Sequence, residues 1–359
     1  MRPLEFGWYL PTHGDTTAYG VAAAEVAGSP ELCERVVEAA EKAGFEYLLI
    51  PVGSTCWEAW ISGAFMAARS QKIKPLIAAR PGYINPVLLA KMISTFDQMS
   101  GGRICVNLIA GQNESEVVAE GVRYAKEERY ALMEEEVWIL KALWTTRGPL
   151  NFKGAFHTIS GAHIRPRPRQ QPYPKFYLGG GSRQAWELSA KHSDVHLFWG
   201  DLPERIAANI SEIRELARVH GRQDEIGFGM RLQVICRENE GDAWEAADTL
   251  VRNASERQKE ERRTLYSNSV ANQRVQQLAQ EHGDLLLPHL WAGITRVRPG
   301  AGIAVVGNPA QCASTLQQFI DAGCHSFCLS GYLHDEEAER FGRLIRPILV
   351  ANNRGRLAA

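Results

Sequence analysis

Eight short apolar runs punctuate this chain, each followed by a stretch with helical periodicity, and that alternation restricts the fold more than any other feature. The runs are Leu4 to Leu10, Glu46 to Val52, Ile73 to Ala79, Ile104 to Ala110, Lys175 to Leu178, Val195 to Trp199, Ile226 to Val234 and Ser326 to Leu329. Near-continuous apolar strands alternating with amphipathic helices indicate βα units around a parallel sheet. An open doubly wound sheet ordinarily has about five or six strands. Eight βα pairs therefore predict an α/β fold of the closed (β/α)₈ TIM-barrel type.

Local signals agree. Ser29-Pro30 offers a cap followed by proline at the first helical position, Cys33, Val36, Val37 and Ala40 fall on one helical face, and Gly44 ends the helix. Residues 149–174, rich in glycine, proline and aromatics, predict a hairpin and an extended strap inserted in the alternation. Residues 255–302 form a charged insertion, expected to act as a mobile lid that is poorly ordered until ligand binds. Residues 1–359 are expected to make one barrel domain with these two insertions.

The 40 basic and 41 acidic side chains leave a formal net charge of −1, which argues against nucleic acid or an anionic membrane as partner. Seven scattered cysteines lack the paired spacing of a zinc site, so no metal is expected and reduced thiols are. Met1 to Glu5 leads into no apolar run of signal-peptide length, and nothing later approaches a membrane span, so a cytoplasmic protein is expected.

In such a barrel chemistry sits at the C-terminal ends of the strands. Polar residues crowd those ends here: Thr12, His13 and Asp15 after the first run, Cys56 after the second, Arg80 after the third, and Gly111-Gln112-Asn113 after the fourth, with Asn107 inside it. Trp199 closes the sixth, Arg231 and Gln233 lie in the seventh, and Ser330, Tyr332 and His334 follow the eighth. Gly179-Gly180-Gly181-Ser182 opens a helix, where backbone N–H groups and the helix dipole could receive a phosphate, or where the glycines could simply make a tight turn. Arg231 and Gln233 share a strand face by alternation. A guanidinium in a largely apolar strand needs an anionic ligand or an internal carboxylate.

Together these segments resemble the luciferase-like flavin monooxygenases, in particular their alkanesulfonate branch. The resemblance runs nearly end to end through Leu10 to Asp15, Cys56 with Ala59-Trp60, Arg80-Pro81, Gly101-Gly102-Arg103, Glu128-Arg129-Tyr130, Gln171 to Pro174, Trp199-Gly200, Leu290 to Gly293, Gly300 to Gly302 and Ser330 to His334. It implies reduced FMN as cofactor, O₂ as co-substrate, an NAD(P)H-dependent flavin reductase as partner, and a homo-oligomer, dimer or tetramer. The implied reaction is oxidative desulfonation of an organosulfonate to an aldehyde and sulfite. Sulfoquinovose or another functionalised sulfonate, a deazaflavin-dependent oxidoreduction, and flavin binding without catalysis are the alternatives.

By the same resemblance Gly180, Gly181 and Ser182 hold the flavin phosphate, with Asn107 and Tyr130 near the flavin. His13, Trp199, Arg231, Gln233, Arg298, Tyr332 and His334 face the substrate. Arg231, Arg298, Cys56, Tyr332 and Gln233 are the catalytic candidates. Gln233 and Lys126 stand where the branch has histidine, and Ala110 where a hydroxyl residue is common. An amide at 233 beside Arg231 predicts a substrate bearing a hydroxyl or carbonyl near its sulfonate.

Overall fold

The computed structural model describes residues 2–356 apart from 112, 266–268 and 299, and the side chains of 261–265 are also undescribed. Gln112 and part of the 255–302 insertion therefore lie outside the described residues.

All eight apolar runs form strands, and the strands close into a parallel barrel flanked by helices. In chain order they are β1 (Glu5–Tyr9), β2 (Tyr47–Ile50), β3 (Lys74–Ala79), β4 (Cys105–Leu108), β5 (Phe176–Gly179), β6 (Val195–Trp199), β7 (Gly227–Cys236) and β8 (Ser326–Ser330). Each strand pairs with its sequence neighbours. Glu5↔Ser326 to Trp8↔Leu329 joins β1 to β8, while Val195↔Gly227 to Trp199↔Arg231 joins β6 to β7. The first helix, Pro30–Lys42, is capped by the Ser29 side chain, which accepts from the Leu32 N–H, and it buries Cys33, Val36, Val37 and Ala40 against the barrel.

Inside the barrel Tyr47 and Tyr177 fill the lower bore with ring centroids 5.5 Å apart. Tyr47 Oη bonds Ser326 Oγ at 3.1 Å, and Tyr177 Oη donates to Glu5. Gly7 permits this filling, because a Cβ there would lie 2.0 Å from the Tyr47 ring. The bore is thus packed below by these rings, as in other closed barrels of this type.

Strand β7 has ten residues and outruns its neighbours. Its last residues, Gln233–Cys236, pair with an additional parallel strand, Ala304–Gly307. Sequence alone does not separate this strand from the insertion, because its short apolar run follows Gly300-Ala301-Gly302 directly. Ala304 and Val305 pair in turn with antiparallel Leu290–Trp291, which pairs with Leu285–Leu287. The insertion also contains helices Glu256–Leu265 and Val270–His282. Val275 and Leu278 are buried, and Arg274 grips Asp201, just beyond β6, through two hydrogen bonds of 2.8 and 3.0 Å. Residues 150–162 form an antiparallel hairpin, and the strap behind it is fastened where Gln170 donates from its backbone N–H and side-chain amide to Asp97. Among the described residues no helix is long and apolar enough to cross a membrane.

Candidate functional site

A cavity of about 240 Å³ opens at the C-terminal ends of the strands. Its β5 side is built from backbone. Gly179-Gly180-Gly181 turns sharply from β5 into helix Arg183–His192, which Ser182 caps by accepting from the Ala185 N–H. Gly180 has φ +153°, and a Cβ there would meet Ala185 Cβ at 2.8 Å, so the turn requires glycine. The Ser182 hydroxyl donates to Tyr130 Oη at 3.2 Å.

A second helix start faces this turn. Ser269 caps Val270–His282, and a Cβ on Gly181 would lie 3.4 Å from the Ala271 nitrogen. Ser269, Val270, Ala271 and Lys126 line the cavity beside Gly180, Gly181, Ser182 and Tyr130. Two helix N-termini and a lysine around one space favour an anion there.

Cations make the β1–β7 side. Arg231 on β7 is 6% exposed; its Nη1 donates to Leu232 O at 3.0 Å and to Cys328 O at 3.4 Å, while its buried Nη2 has no partner. No carboxylate pairs with it among the described residues, which removes the internal salt bridge that the sequence left open. The guanidinium carbon sits 4.9 Å from the Tyr9 ring centroid, and that of Arg298 5.7 Å from the same ring. Burial, and Arg298 beside it, depress the Arg231 guanidinium below its ordinary value. Arginine nevertheless stays charged at neutral pH. Asn107 on β4 and Trp199 at the end of β6 complete this mouth, with Gly300 packed against the Trp199 ring.

Of the residues singled out from sequence, Asn107, Tyr130, Gly180, Gly181, Ser182, Trp199, Arg231 and Arg298 therefore share one cavity. His13, Cys56, Gln233, Tyr332 and His334 do not line it. His13 is exposed, its ring 6.1 Å from that of Tyr9. Tyr332 Oη is engaged by Tyr19 Oη at 2.8 Å. His334 is buried against Asp15, whose carboxylate accepts its backbone N–H at 2.7 Å and lies 2.9 Å from its Nδ1. Burial pushes the Cys56 thiol up, partly offset by Thr12, so it is protonated at neutral pH.

Gln233 requires a correction. It is fully buried, its Nε2 donates to Ala301 O at 3.0 Å and its Oε1 accepts from the Ser330 hydroxyl. Each end of the amide makes a hydrogen bond within the protein, and Gln233 does not line the cavity with Arg231. Conversely, sequence reasoning passed over Tyr9 and Ser269 to Ala271, and marked Lys126 only as standing where the branch has histidine. Tyr9 had a usable signal as the last residue of a barrel strand.

Several family-like motifs are anchors. Arg129 holds Ala110 O and Tyr124 O and grips Glu114 through two bonds; Arg103 ties Ser100, Ile73 and Ala67 carbonyls together; and Arg80 pairs with Glu116 and Glu120. The loop after β3 is fixed by Glu136, which accepts from the Gly82 N–H at 3.0 Å and faces His157 Nε2 at 3.3 Å. Burial pushes the Glu136 carboxyl up to about 7, against the Gly82 N–H that favours its ionised form. An unfolded glutamate titrates near about 4.3. Between those values the folded protein holds a proton that the unfolded chain has lost, so this group's contribution falls as pH rises from about 4.3 to 7. Glu136→Gln should remove that slope and raise stability at pH 8 by on the order of 1–3 kcal/mol relative to pH 5, read from denaturant midpoints. An unchanged pH dependence would exclude Glu136 as its source.

Residues 4–326 match the family described as luciferase-like monooxygenase. Among solved structures, EDTA monooxygenase from Chelativorans sp. BNC1 is 16% identical, with 98% of this chain and 94% of that one covered and a TM-score of 0.76. Riboflavin lyase, solved with modified FMN and riboflavin, is 17% identical over 99% and 93% of the two chains, with a TM-score of 0.80. An F420-dependent secondary alcohol dehydrogenase is 18% identical over 97% and 99%, with a TM-score of 0.70. These likenesses support the fold, and cofactor choice differs among them.

Proposed function

Since the chain belongs to the luciferase-like monooxygenase family, we propose that it is a reduced-FMN-dependent monooxygenase that cleaves the C–S bond of an organosulfonate. The observation that carries this reading is the pair Arg231 and Arg298 against Tyr9, with Arg231 Nη2 buried and unpartnered at a cavity wall. Two guanidiniums without a nearby carboxylate partner for the buried one suit a strongly acidic, multi-oxygen anion.

The residues present fit FMN. The Gly180 turn would be filled by any Cβ, and the facing helix starts with Lys126 and Ser182 would receive a phosphate dianion. Tyr130 and Asn107 would border the remainder of the cofactor. When bound and reduced, FMN supplies the two electrons that the reaction of dioxygen requires. In the net reaction the C–S bond breaks, one atom of O₂ becomes the aldehyde oxygen and the other becomes water, and sulfite leaves with a proton released.

The protein's own part is to bind, orient and exclude water. Arg231 would hold the sulfonate from the barrel wall and Arg298 from the insertion, offsetting charge that grows as sulfite departs. Trp199 and Tyr9 supply apolar walls that keep the mouth dry. Among the described residues no cavity-lining side chain is assigned as a general base, and the roles of Arg231 and Arg298 are electrostatic. With Gln233 turned away, the argument for a hydroxyl or carbonyl beside the sulfonate lapses, and a plain alkanesulfonate is the simpler substrate.

An NAD(P)H-dependent flavin reductase would deliver the reduced cofactor. Titration with reduced FMN, oxidised FMN and reduced F420 tests the cofactor assignment: reduced FMN should bind most tightly. Tighter binding of F420 would replace oxygenation with hydride transfer, and tight oxidised FMN without turnover would make the protein a flavin carrier.

A further inference from the structure

We infer that Gln233 is a positioning residue for Arg298, tying the loop that carries this second arginine to the strand that carries the first. The inference rests on the proposal that the two arginines share one anionic substrate. Gln233 is on β7, two residues beyond Arg231, and its backbone N–H donates to Ile303 O at 2.9 Å. Its side-chain Nε2 donates to Ala301 O at 3.0 Å, and Arg298 Nη1 donates to that same carbonyl at 3.2 Å. One carbonyl thus receives the barrel's amide and the loop's guanidinium together.

The other end of the amide explains its orientation. Ser330, paired with Gln233 in the β7–β8 register, donates its hydroxyl to Oε1 and so directs the NH₂ group toward Ala301. A carbonyl has two lone pairs, so the amide and the guanidinium can both be accepted. Fully buried, the Ala301–Gln233–Ser330 chain is shielded from water, where replacing it by water contacts is costly. The spacing between the guanidiniums over Tyr9 is therefore set from beneath by Gln233. Arg231 is fixed to β7 directly and Arg298 through Ala301.

Three measurements test this, using Gln233→Met, which keeps length and loses both bonds, and Ser330→Ala, which removes only the orienting hydroxyl. Without any ligand, hydrogen exchange of Gly300 to Ile303 should accelerate at least about tenfold in Gln233→Met relative to the other barrel strands, and less in Ser330→Ala. With reductase, FMN and 1-butanesulfonate, KM should rise by about tenfold in Gln233→Met while the dissociation constant for reduced FMN stays within about twofold. In an Arg298→Ala background, Gln233→Met should add almost nothing, because the group it positions is gone.

Unchanged exchange in Gln233→Met, or an equal KM penalty with and without Arg298, would overturn the proposal. If neither 1-butanesulfonate nor any other sulfonate is turned over by the parent protein, the substrate reading fails at that step. The exchange result then still decides whether Gln233 holds the loop.

Discussion

Replacing Arg231 with methionine is expected to lower kcat/KM for a sulfonate by about two to three decades while leaving the protein as stable as before, or more so. The two halves of that result have one cause. Arg231 is buried, lacks a carboxylate partner among the described residues, and keeps Nη2 unbonded, so the folded protein carries an uncompensated cation. Removing such a charge relieves a desolvation penalty and an unfavourable neighbour in Arg298. The substrate loses one or two charge-assisted hydrogen bonds, each worth roughly 1.5–3 kcal/mol, and about 1.4 kcal/mol corresponds to a factor of ten. Steady-state kinetics and a thermal melt on the same preparation check both halves. A large loss of stability with kcat/KM preserved would make Arg231 a structural group.

The β5 side of the cavity should respond to a different change. Gly180→Ala is expected to weaken reduced FMN binding by about ten- to a hundredfold. The added methyl would lie 2.8 Å from Ala185 Cβ and 3.6 Å from Tyr130 Oη, at a φ that disfavours any Cβ. The helix start must then shift, and N–H groups aimed at a phosphate lose their alignment within an ångström or so. Because Arg231 and Arg298 are on other elements, the KM for the sulfonate at saturating FMN should change little. Anaerobic titration of reduced FMN, followed by sulfonate kinetics at two flavin concentrations, separates the effects. Unaltered flavin affinity would show that the Gly180 turn does not hold the cofactor.

The barrel was legible because parallel strands buried on both faces spell their own boundaries, and all eight runs became strands. Ser29 as a cap was legible for an equally local reason. Residues whose role depends on distant partners were not. Strand periodicity correctly placed Gln233 two residues beyond Arg231, yet nothing local foretold that Ala301 and Ser330 would occupy its amide. Lys126 is marked in the sequence only as standing where the branch has histidine, and its place at the cavity appears once the Gly180 turn and Val270–His282 are brought to it. Arg80, Arg103 and Arg129 show the converse, since motif membership drew attention to them and the structure uses them to fasten loops. The charged stretch at 255–302 read as a lid from its composition and length, and the contacts that Arg274 makes to Asp201 and the burial of Val275 and Leu278 depend on partners that its own sequence does not show.

Sulfite release is the measurement that meets the central claim most directly. The purified protein, an NAD(P)H-dependent flavin reductase, FMN and oxygen are combined with a series of alkanesulfonates, and sulfite and aldehyde are quantified against NAD(P)H consumed. The account predicts sulfite and aldehyde in equal amounts from at least one sulfonate, dependent on both oxygen and reduced FMN, and abolished or nearly so in Arg231→Met. NAD(P)H oxidation that yields no sulfite from any sulfonate, or product formation that proceeds without oxygen, would contradict it.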